Sequence, residues 1–172
     1  MNTVETILTR RSIREYKDTN ISDKDLETIL KAGQAGPSCA DTRDFSFIVV
    51  KDNNMLNRMA DANGIYADPL RKAASGILVC GDLNRAFEDA KDYWIIDCSI
   101  ACQNMILAAK DLGIGTCWLG TYPQMERVKA LKELFKLPED IVPHSIISFG
   151  YPEEENNDKA VFEKELVHYE KW

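Results

Sequence analysis

The chain has 172 residues and a formal net charge of −7, from 28 acidic and 21 basic side chains. This length predicts one domain spanning residues 1–172, large enough to bury roughly 70% of its unfolded surface. The acidic balance argues against nucleic acid or an anionic membrane as the main partner and favours a small molecule. The first residues lack the pattern of a signal peptide, and no stretch is apolar enough to span a membrane. We therefore expect a cytoplasmic protein.

Hydrophobic periodicity and capping residues predict a series of helices and strands. The predicted helices are 4–9, 23–35, 54–62, 93–112 and 125–135, and the predicted strands are 45–50, 76–81, 116–119 and 145–149. Thr3 is expected to cap the first helix. The strand 76–81 is continuously apolar, which is typical of a central strand buried on both faces. This order of elements is compatible with either a doubly wound parallel sheet or an antiparallel one.

Three arginines and a serine follow the first predicted helix, at Arg10, Arg11, Ser12 and Arg14. A guanidinium group is a planar fork of donors that matches phosphate oxygens, and a serine hydroxyl with nearby backbone amides can complete such a site. In an extended chain, Arg10, Ser12 and Arg14 point to one side. The cluster predicts either a phosphate-binding segment or a solvated basic turn.

The segment 93–112 is apolar or small on nearly every face, which predicts a central helix buried on most sides. Gly113 is expected to end it in a left-handed conformation. The following strand ends at Gly120, where the missing Cβ allows a flat ligand to approach the main chain. The alternative is an ordinary turn glycine.

The loop 38–44 and the tail 153–172 carry two further expectations. The loop joins a predicted buried helix to a predicted strand, a position where ligand contacts are common but which any connection also occupies. The tail begins acidic and then becomes apolar between 161 and 172. That much apolar surface predicts docking, either on its own domain or on a second subunit.

No residue pattern points to a metal or to a self-sufficient protein nucleophile. The five cysteines are expected to be free, and Cys98 and Cys102 share a helix face far in sequence from His144 and His168. The chain lacks Gly-x-Gly-x-x-Gly, a phosphate loop and Gly-x-Ser-x-Gly. We assign no catalytic side chain and no metal ligand, so an enzyme of this sequence would take its chemistry from a cofactor.

Taken together, five motifs in this order resemble the FMN-dependent nitroreductase family over almost the whole chain. They are the segments 10–14, 35–38, 97–115, 149–152 and 167–172. The resemblance implies an α+β nitroreductase-like sandwich, with a mainly antiparallel central sheet flanked by helices. It also implies an intertwined homodimer with FMN at the subunit interface, with the tail 153–172 docking on the partner subunit.

The resemblance further implies which residues bind FMN. It places Arg10, Arg11, Ser12 and Arg14 on phosphate and ribityl oxygens, Pro37 and Ser38 at the flavin from the partner subunit, and the main chain of Leu119 and Gly120 against the isoalloxazine ring.

Two implied FMN contacts depart from the family pattern. Asp41 replaces an asparagine, and an ionised carboxylate cannot donate a hydrogen bond as an amide can. Lys159 stands in the tail, where compact family members carry a phosphate-binding arginine, and would act as a point charge.

The implied activity is that of an FMN-dependent NAD(P)H oxidoreductase. NADH or NADPH would deliver hydride to FMN, and a nitroaromatic, quinone or similar acceptor would take the electrons in a ping-pong cycle. The alternatives are a specialised flavin enzyme acting on one metabolite, with Asp41 and Arg43 in its pocket, a non-turnover flavin-binding or sensing dimer, and a domain without a cofactor.

Overall fold

The computed structural model describes residues 2–154 and 160–172. Its helices are α1 (Thr3–Thr9), α2 (Asp23–Gln34), α3 (Asn53–Asn63), α4 (Tyr93–Asp111) and α5 (Met125–Phe135). Its strands are β1 (Phe45–Val50), β2 (Ser75–Asp82), β3 (Gly115–Gly120) and β4 (Ile141–Gly150). Gly113 adopts a φ of 75°, the expected left-handed end of α4. Within these residues, no helix has the length and apolarity needed to cross a bilayer.

The four strands form one sheet in the order β1-β2-β4-β3, and every neighbouring pair is antiparallel. The mainly antiparallel sheet is confirmed, and the doubly wound alternative is excluded. Strand β3 is an edge strand, and its Thr116 forms a parallel bridge with Ser12. The segment after α1 therefore lies along the free edge of β3. The chain between α1 and α2 is thereby held against the strand that ends at Gly120.

Helices cover both faces of the sheet. The core on one face joins Ile77 and Val79 to residues of α2 and α4, and the core on the other joins Leu78 and Cys80 to residues of α3 and α5. All four of these β2 side chains are fully buried. The prediction of a central strand buried on both faces is confirmed.

Strand β4 begins four residues earlier than predicted. Val79 pairs with Ser145 and Cys80 with Pro143, so His144 is the extra residue of a bulge. Proline has no N–H for the ladder and is tolerated at bulges. The sequence signal of Pro143 therefore placed the start of the predicted strand too late.

Helix α4 is less enclosed than predicted. Cys98, Ala101 and Met105 are completely buried, whereas Tyr93 and Ile96 are 47% and 51% exposed. A helix packed in an outer layer buries one side, so apolar residues on its other side face outward in the single chain.

Helix α1 shows the same outward orientation. Its apolar side, formed by Val4, Ile7 and Leu8, is exposed, while Thr6 and Thr9 face inward. The predicted cap is also wrong by one position, because Asn2 Oδ1 accepts the Glu5 N–H at 2.9 Å and Thr3 is already helical.

The described part of the tail, residues 160–172, is not buried against its own domain. Every residue from 160 to 172 is exposed, and the Ala160 N–H donates to the Leu8 carbonyl oxygen at 2.8 Å. This bond places the beginning of the described tail beside the exposed side of α1. Docking on a second subunit remains a prediction.

Candidate functional site

A pocket of about 190 Å³ opens at the end of β3. Three residues predicted from the sequence line it together, namely Arg14, Leu119 and Gly120. The other lining residues are Asn63, Tyr66, Cys117, Trp118 and Arg127. The pocket thus combines a cationic segment, the main chain at a strand end and two aromatic side chains.

Arg14 reaches the pocket because its segment is attached to the edge of β3. The Ile13 N–H donates to the Thr116 carbonyl oxygen at 2.8 Å. Ile13 packs on Gly115, where an added Cβ would lie 2.9 Å from the Ile13 Cβ. Ile13 therefore faces the protein, and in this extended geometry Ser12 and Arg14 are exposed on the opposite side.

Among the described residues, none of Arg10, Arg11 and Arg14 forms an ion pair. Arg11 Nη1 donates to the backbone oxygens of Leu8 and Arg10, at 3.2 and 2.8 Å. In a chain with seven more acidic than basic side chains, three guanidinium groups within five residues, without an ion pair to any described residue, make a local positive surface that suits an anion.

Gly120 has open space where a side chain would begin. An ideal Cβ built at Gly120 meets no atom within 4 Å, whereas Cβ atoms at Gly115 and Gly150 would collide with Ile13 and Tyr16. The internal packing therefore does not require a glycine at position 120. A glycine that no internal contact demands is consistent with close approach by something outside the chain.

The carbonyl group of Gly120 is held by two side chains that the sequence analysis missed. Asn63 Nδ2 donates to it at 3.3 Å and Arg127 Nη1 at 2.9 Å. Asn63 Oδ1 in turn accepts the Thr121 hydroxyl at 2.7 Å. Neither residue carries a local sequence signal, because Asn63 ends a polar helix and Arg127 lies on an ordinary amphipathic one. Tyr66, in the loop after α3, likewise gave no signal.

The predicted contacts Pro37, Ser38 and Asp41 lie on a separate loop and do not line this pocket. Ser38 Oγ accepts the Arg43 N–H at 2.9 Å, and Asp41 Oδ1 forms an ion pair with Arg43 Nε at 3.1 Å. Ala40, Asp41 and Arg43 all have positive φ, between 50° and 54°, which is uncommon for residues with a side chain. The single chain therefore does not bring this loop and the arginine cluster into one site.

The remaining predicted contact, Lys159, lies outside the described residues. All five cysteines are free, and four of them are buried. Across residues 2–154 and 160–172, no group of three His, Cys, Asp or Glu side chains is arranged to hold a metal ion.

His144 is buried between two serines instead of forming a catalytic triad. Its Nε2 lies 3.2 Å from Ser99 Oγ, and its Nδ1 lies 3.0 Å from Ser145 Oγ. Trp94 and Trp118 pack edge-on against the ring. Burial lowers the pKa of His144 from 6.5 to about 4, so the imidazole is neutral at physiological pH. Both nitrogens are occupied by hydroxyl groups, which is the geometry of a structural histidine.

Comparison with known proteins identifies a family that matches most of the chain. The sequence profile of the Nitroreductase family matches residues 7–79 and 62–151. A protein of Archaeoglobus fulgidus, provisionally named NADH dehydrogenase/NAD(P)H nitroreductase, is 45% identical over 169 residues, which cover 96% of each chain.

Solved structures agree with the sequence match over the whole fold. A crystal structure from Parabacteroides distasonis, provisionally named NADH dehydrogenase/NAD(P)H nitroreductase, has a TM-score of 0.92 and 35% identity and covers 100% of both chains. An FMN-dependent nitroreductase from Clostridium difficile has a TM-score of 0.90 and 30% identity, over 98% of this chain and 99% of that one.

Proposed function

Because the chain belongs to the nitroreductase family, we propose that it is an FMN-dependent NAD(P)H oxidoreductase that reduces nitroaromatics, quinones or similar acceptors. The observation that carries the proposal is that Arg14 and Gly120 line one pocket, and that the arginine cluster containing Arg14 forms no ion pair among the described residues. This arrangement supplies what an elongated cofactor with a phosphate at one end and a flat ring at the other requires, namely cationic donors followed by accessible main chain.

The residues of this chain bind and orient the cofactor, and none of them is assigned a proton-transfer step. Arg10, Arg11 and Arg14, with Ser12, bind its phosphate and ribityl oxygens by charge-assisted hydrogen bonds. Leu119 anchors the strand end by burying its side chain, so the main chain at Gly120 forms a fixed support for the ring. When bound, FMN would supply the two-electron redox chemistry between NADH or NADPH and the second substrate.

Asn63 and Arg127 contribute by holding the Gly120 carbonyl group. Two donors on one carbonyl oxygen restrict rotation of the Gly120–Thr121 peptide, which a terminal glycine would otherwise permit. The support is therefore rigid although it lies at the end of a strand. Arg127 also adds positive charge to the pocket wall.

We further propose a homodimer in which each site is completed by the partner subunit. The apolar side of α1, the exposed residues of α4 and the tail 160–172 are the surfaces available for this contact. The partner would then supply Pro37, Ser38 and Asp41, which in the single chain lie away from the pocket. Asp41 contributes as an ion-paired carboxylate, since Arg43 Nε already binds it.

The decisive experiment is the visible spectrum of the dialysed protein, followed by anaerobic addition of NADH and then NADPH. We expect bound flavin whose absorption bleaches with one of the two donors, after which a nitroaromatic or quinone restores it. Flavin that does not bleach with either donor would favour the non-turnover flavin-binding dimer. A colourless protein that does not bind added FMN would refute the proposal.

A further inference from the structure

Two buried carboxyl groups meet beneath the loop that carries Pro37, Ser38 and Asp41. Asp44, directly before β1, has 0% of its surface exposed, and Asp97, in the second turn of α4, has 2%. Their side chains are within hydrogen-bonding reach of each other. Buried carboxyl groups are normally paired with cations or with donors, so this arrangement requires an explanation.

Asp44 has no donor for either carboxylate oxygen. Among the described residues, no N–H or O–H group donates to Asp44 Oδ1 or Oδ2. An ionised carboxylate only accepts hydrogen bonds, so two ionised groups in contact would repel each other without forming a bond. A proton on one of them creates a donor, and the contact then becomes an O–H···O hydrogen bond.

The groups around Asp44 do not supply the missing positive charge in full. Asp97 and Cys98 face it from α4, Asp82 lies at the end of β2, and Arg85 follows β2 as an exposed cation. Burial first, and the charge of Asp97 second, raise the pKa of Asp44 to about 6, although the nearby backbone N–H of Asp44 itself and the charge of Arg85 oppose the shift. Burial also raises the pKa of the Cys98 thiol, so that group is neutral.

Asp97 connects this pair to the loop. Its Oδ2 accepts the Cys39 N–H at 2.9 Å. The other end of the loop is held by the Asp44 carbonyl oxygen, which accepts the Asp82 N–H at 2.8 Å, and by Arg85 Nη2, which donates to the Thr42 carbonyl oxygen at 3.3 Å. Three residues between these anchors have unfavourable positive φ, so the loop conformation depends on the anchors.

We infer that Asp44 and Asp97 share one proton and that the protonated pair is a positioning device for the loop 37–43. When the proton leaves, two buried negative charges oppose each other, and the Asp97–Cys39 anchor weakens. The inference rests on the proposed function for its consequence: the loop carries Pro37, Ser38 and Asp41 toward the partner's flavin site, so loss of the proton weakens flavin binding.

The test uses the full-length protein as purified and two variants, Asp44→Asn and Asp97→Asn. Asparagine has the shape of a protonated aspartate and donates permanently, so either variant keeps the anchor without a titrating proton. Asp92→Asn is the matched control, because it removes the same charge from an exposed position whose side chain makes no capping bond. Using both variants keeps the test valid if one of them fails to fold.

The first readout is amide hydrogen exchange at Cys39, corrected for the intrinsic pH dependence of exchange. We expect protection to fall at least about tenfold between about pH 5 and about pH 8 in the wild type and in Asp92→Asn. It should stay constant in Asp44→Asn and Asp97→Asn. Unchanged protection in the wild type, or an equal fall in the asparagine variants, would overturn the inference.

The second readout is the infrared carbonyl band of a protonated carboxylic acid. We expect the wild type to show more of this band than Asp44→Asn at about pH 5, and the difference between the two proteins to disappear toward about pH 8. The same band at about pH 5 in the wild type and in Asp44→Asn would also overturn the inference. Neither readout involves flavin turnover, so both decide the matter even if the protein proves not to be a flavin enzyme.

The functional consequence is tested by the FMN dissociation constant at the same two pH values. The FMN phosphate itself titrates near this range, so the informative quantity is the ratio between wild type and Asp44→Asn. We expect this ratio to increase at least about threefold between about pH 5 and about pH 8. A constant ratio, with flavin bound by both proteins, would refute the link from the carboxyl pair to the cofactor.

Discussion

Among single residues, Gly120 offers the clearest test of whether a glycine is needed for internal packing or for cofactor binding. Its Cβ position is open, whereas a Cβ at Gly115, at the other end of the same strand, would lie 2.9 Å from Ile13. The two glycines therefore differ in what replacement should do, although they are indistinguishable by sequence.

We expect Gly120→Val to fold normally, because surface substitutions without clashes usually change stability by only about 0.5 kcal/mol. The variant should bind FMN at least about tenfold more weakly, because its side chain would stand where the flavin ring is proposed to approach the main chain. Gly115→Ala is the control and should destabilise the protein by about 1–3 kcal/mol through overpacking against Ile13. Urea unfolding and flavin titration measure the two effects. Normal flavin affinity in Gly120→Val would show that Gly120 is an ordinary turn glycine.

The arginine cluster makes a second prediction about single residues. Replacing Arg10 and Arg14 together by alanine should leave the fold intact and weaken FMN binding at least about a hundredfold, since each charge-assisted hydrogen bond contributes about 1.5–3 kcal/mol. The control pair Lys24→Ala and Arg58→Ala removes the same charge from exposed positions on α2 and α3. If both pairs bind FMN like the wild type, as judged by fluorescence titration, the phosphate assignment is wrong.

At the scale of elements, α1, α4 and the tail leave apolar surface uncovered in the single chain. Ile7 is 47% exposed and Ile96 51%, while Phe162 and Trp172 in the tail are 68% and 101% exposed. Large exposed apolar surfaces mark interaction sites more often than solvent-facing structure. The periodicity of α4 alone suggested enclosure on most sides, because a helix apolar all round looks the same whether its own chain or another one covers it.

We expect Ile96→Glu to convert a dimer into a monomer, since a charge would be buried without a partner at the contact. Ile65→Glu is the matched control, because Ile65 is 80% exposed and follows α3, which packs on the opposite face of the sheet from α4. Sedimentation velocity distinguishes the two states. A monomeric wild type, or a dimeric Ile96→Glu variant, would contradict the proposed assembly.

At the scale of the whole molecule, two buried groups make stability depend on pH in opposite directions. His144 has its pKa lowered to about 4, so the contribution of its neutral imidazole to the free energy of unfolding is complete above about pH 6.5 and is lost as the pH falls toward 4. Asp44 has its pKa raised to about 6. Ionisation of its buried carboxyl group therefore lowers the free energy of unfolding, and this loss is absent below about pH 4 and grows as the pH rises through 6. The two effects partly cancel in the wild type.

Single variants separate these effects. We expect the stability difference between wild type and His144→Gln to shrink by roughly 2–3 kcal/mol between about pH 7 and about pH 4.5, because the wild type alone loses the contribution of a buried neutral imidazole. Urea unfolding at one fixed protein concentration measures it, since the proposed dimerisation would make stability depend on concentration. A difference that stays constant with pH would mean that His144 is protonated without cost in the folded state.

The sequence by itself determined the elements, the family and part of the site. Helix and strand positions followed from local periodicity and caps, and Arg14, Leu119 and Gly120 were predicted and do line one pocket. The cap of α2 is one example of a local interaction, because the Ser22 hydroxyl accepts the Asp25 N–H only three residues away. Such signals are readable because the interacting groups are close in sequence.

Tertiary structure alone decided what depends on distant parts of the chain. Strand order and direction, the bulge at His144 and the outward apolar side of α4 are set by packing that no local pattern specifies. Asn63 is 57 residues from Gly120, and Asp44 meets Asp97 across the interface between the sheet and α4. Polar residues at such positions look like ordinary surface residues in the sequence, because their partners and their burial appear only when the chain folds.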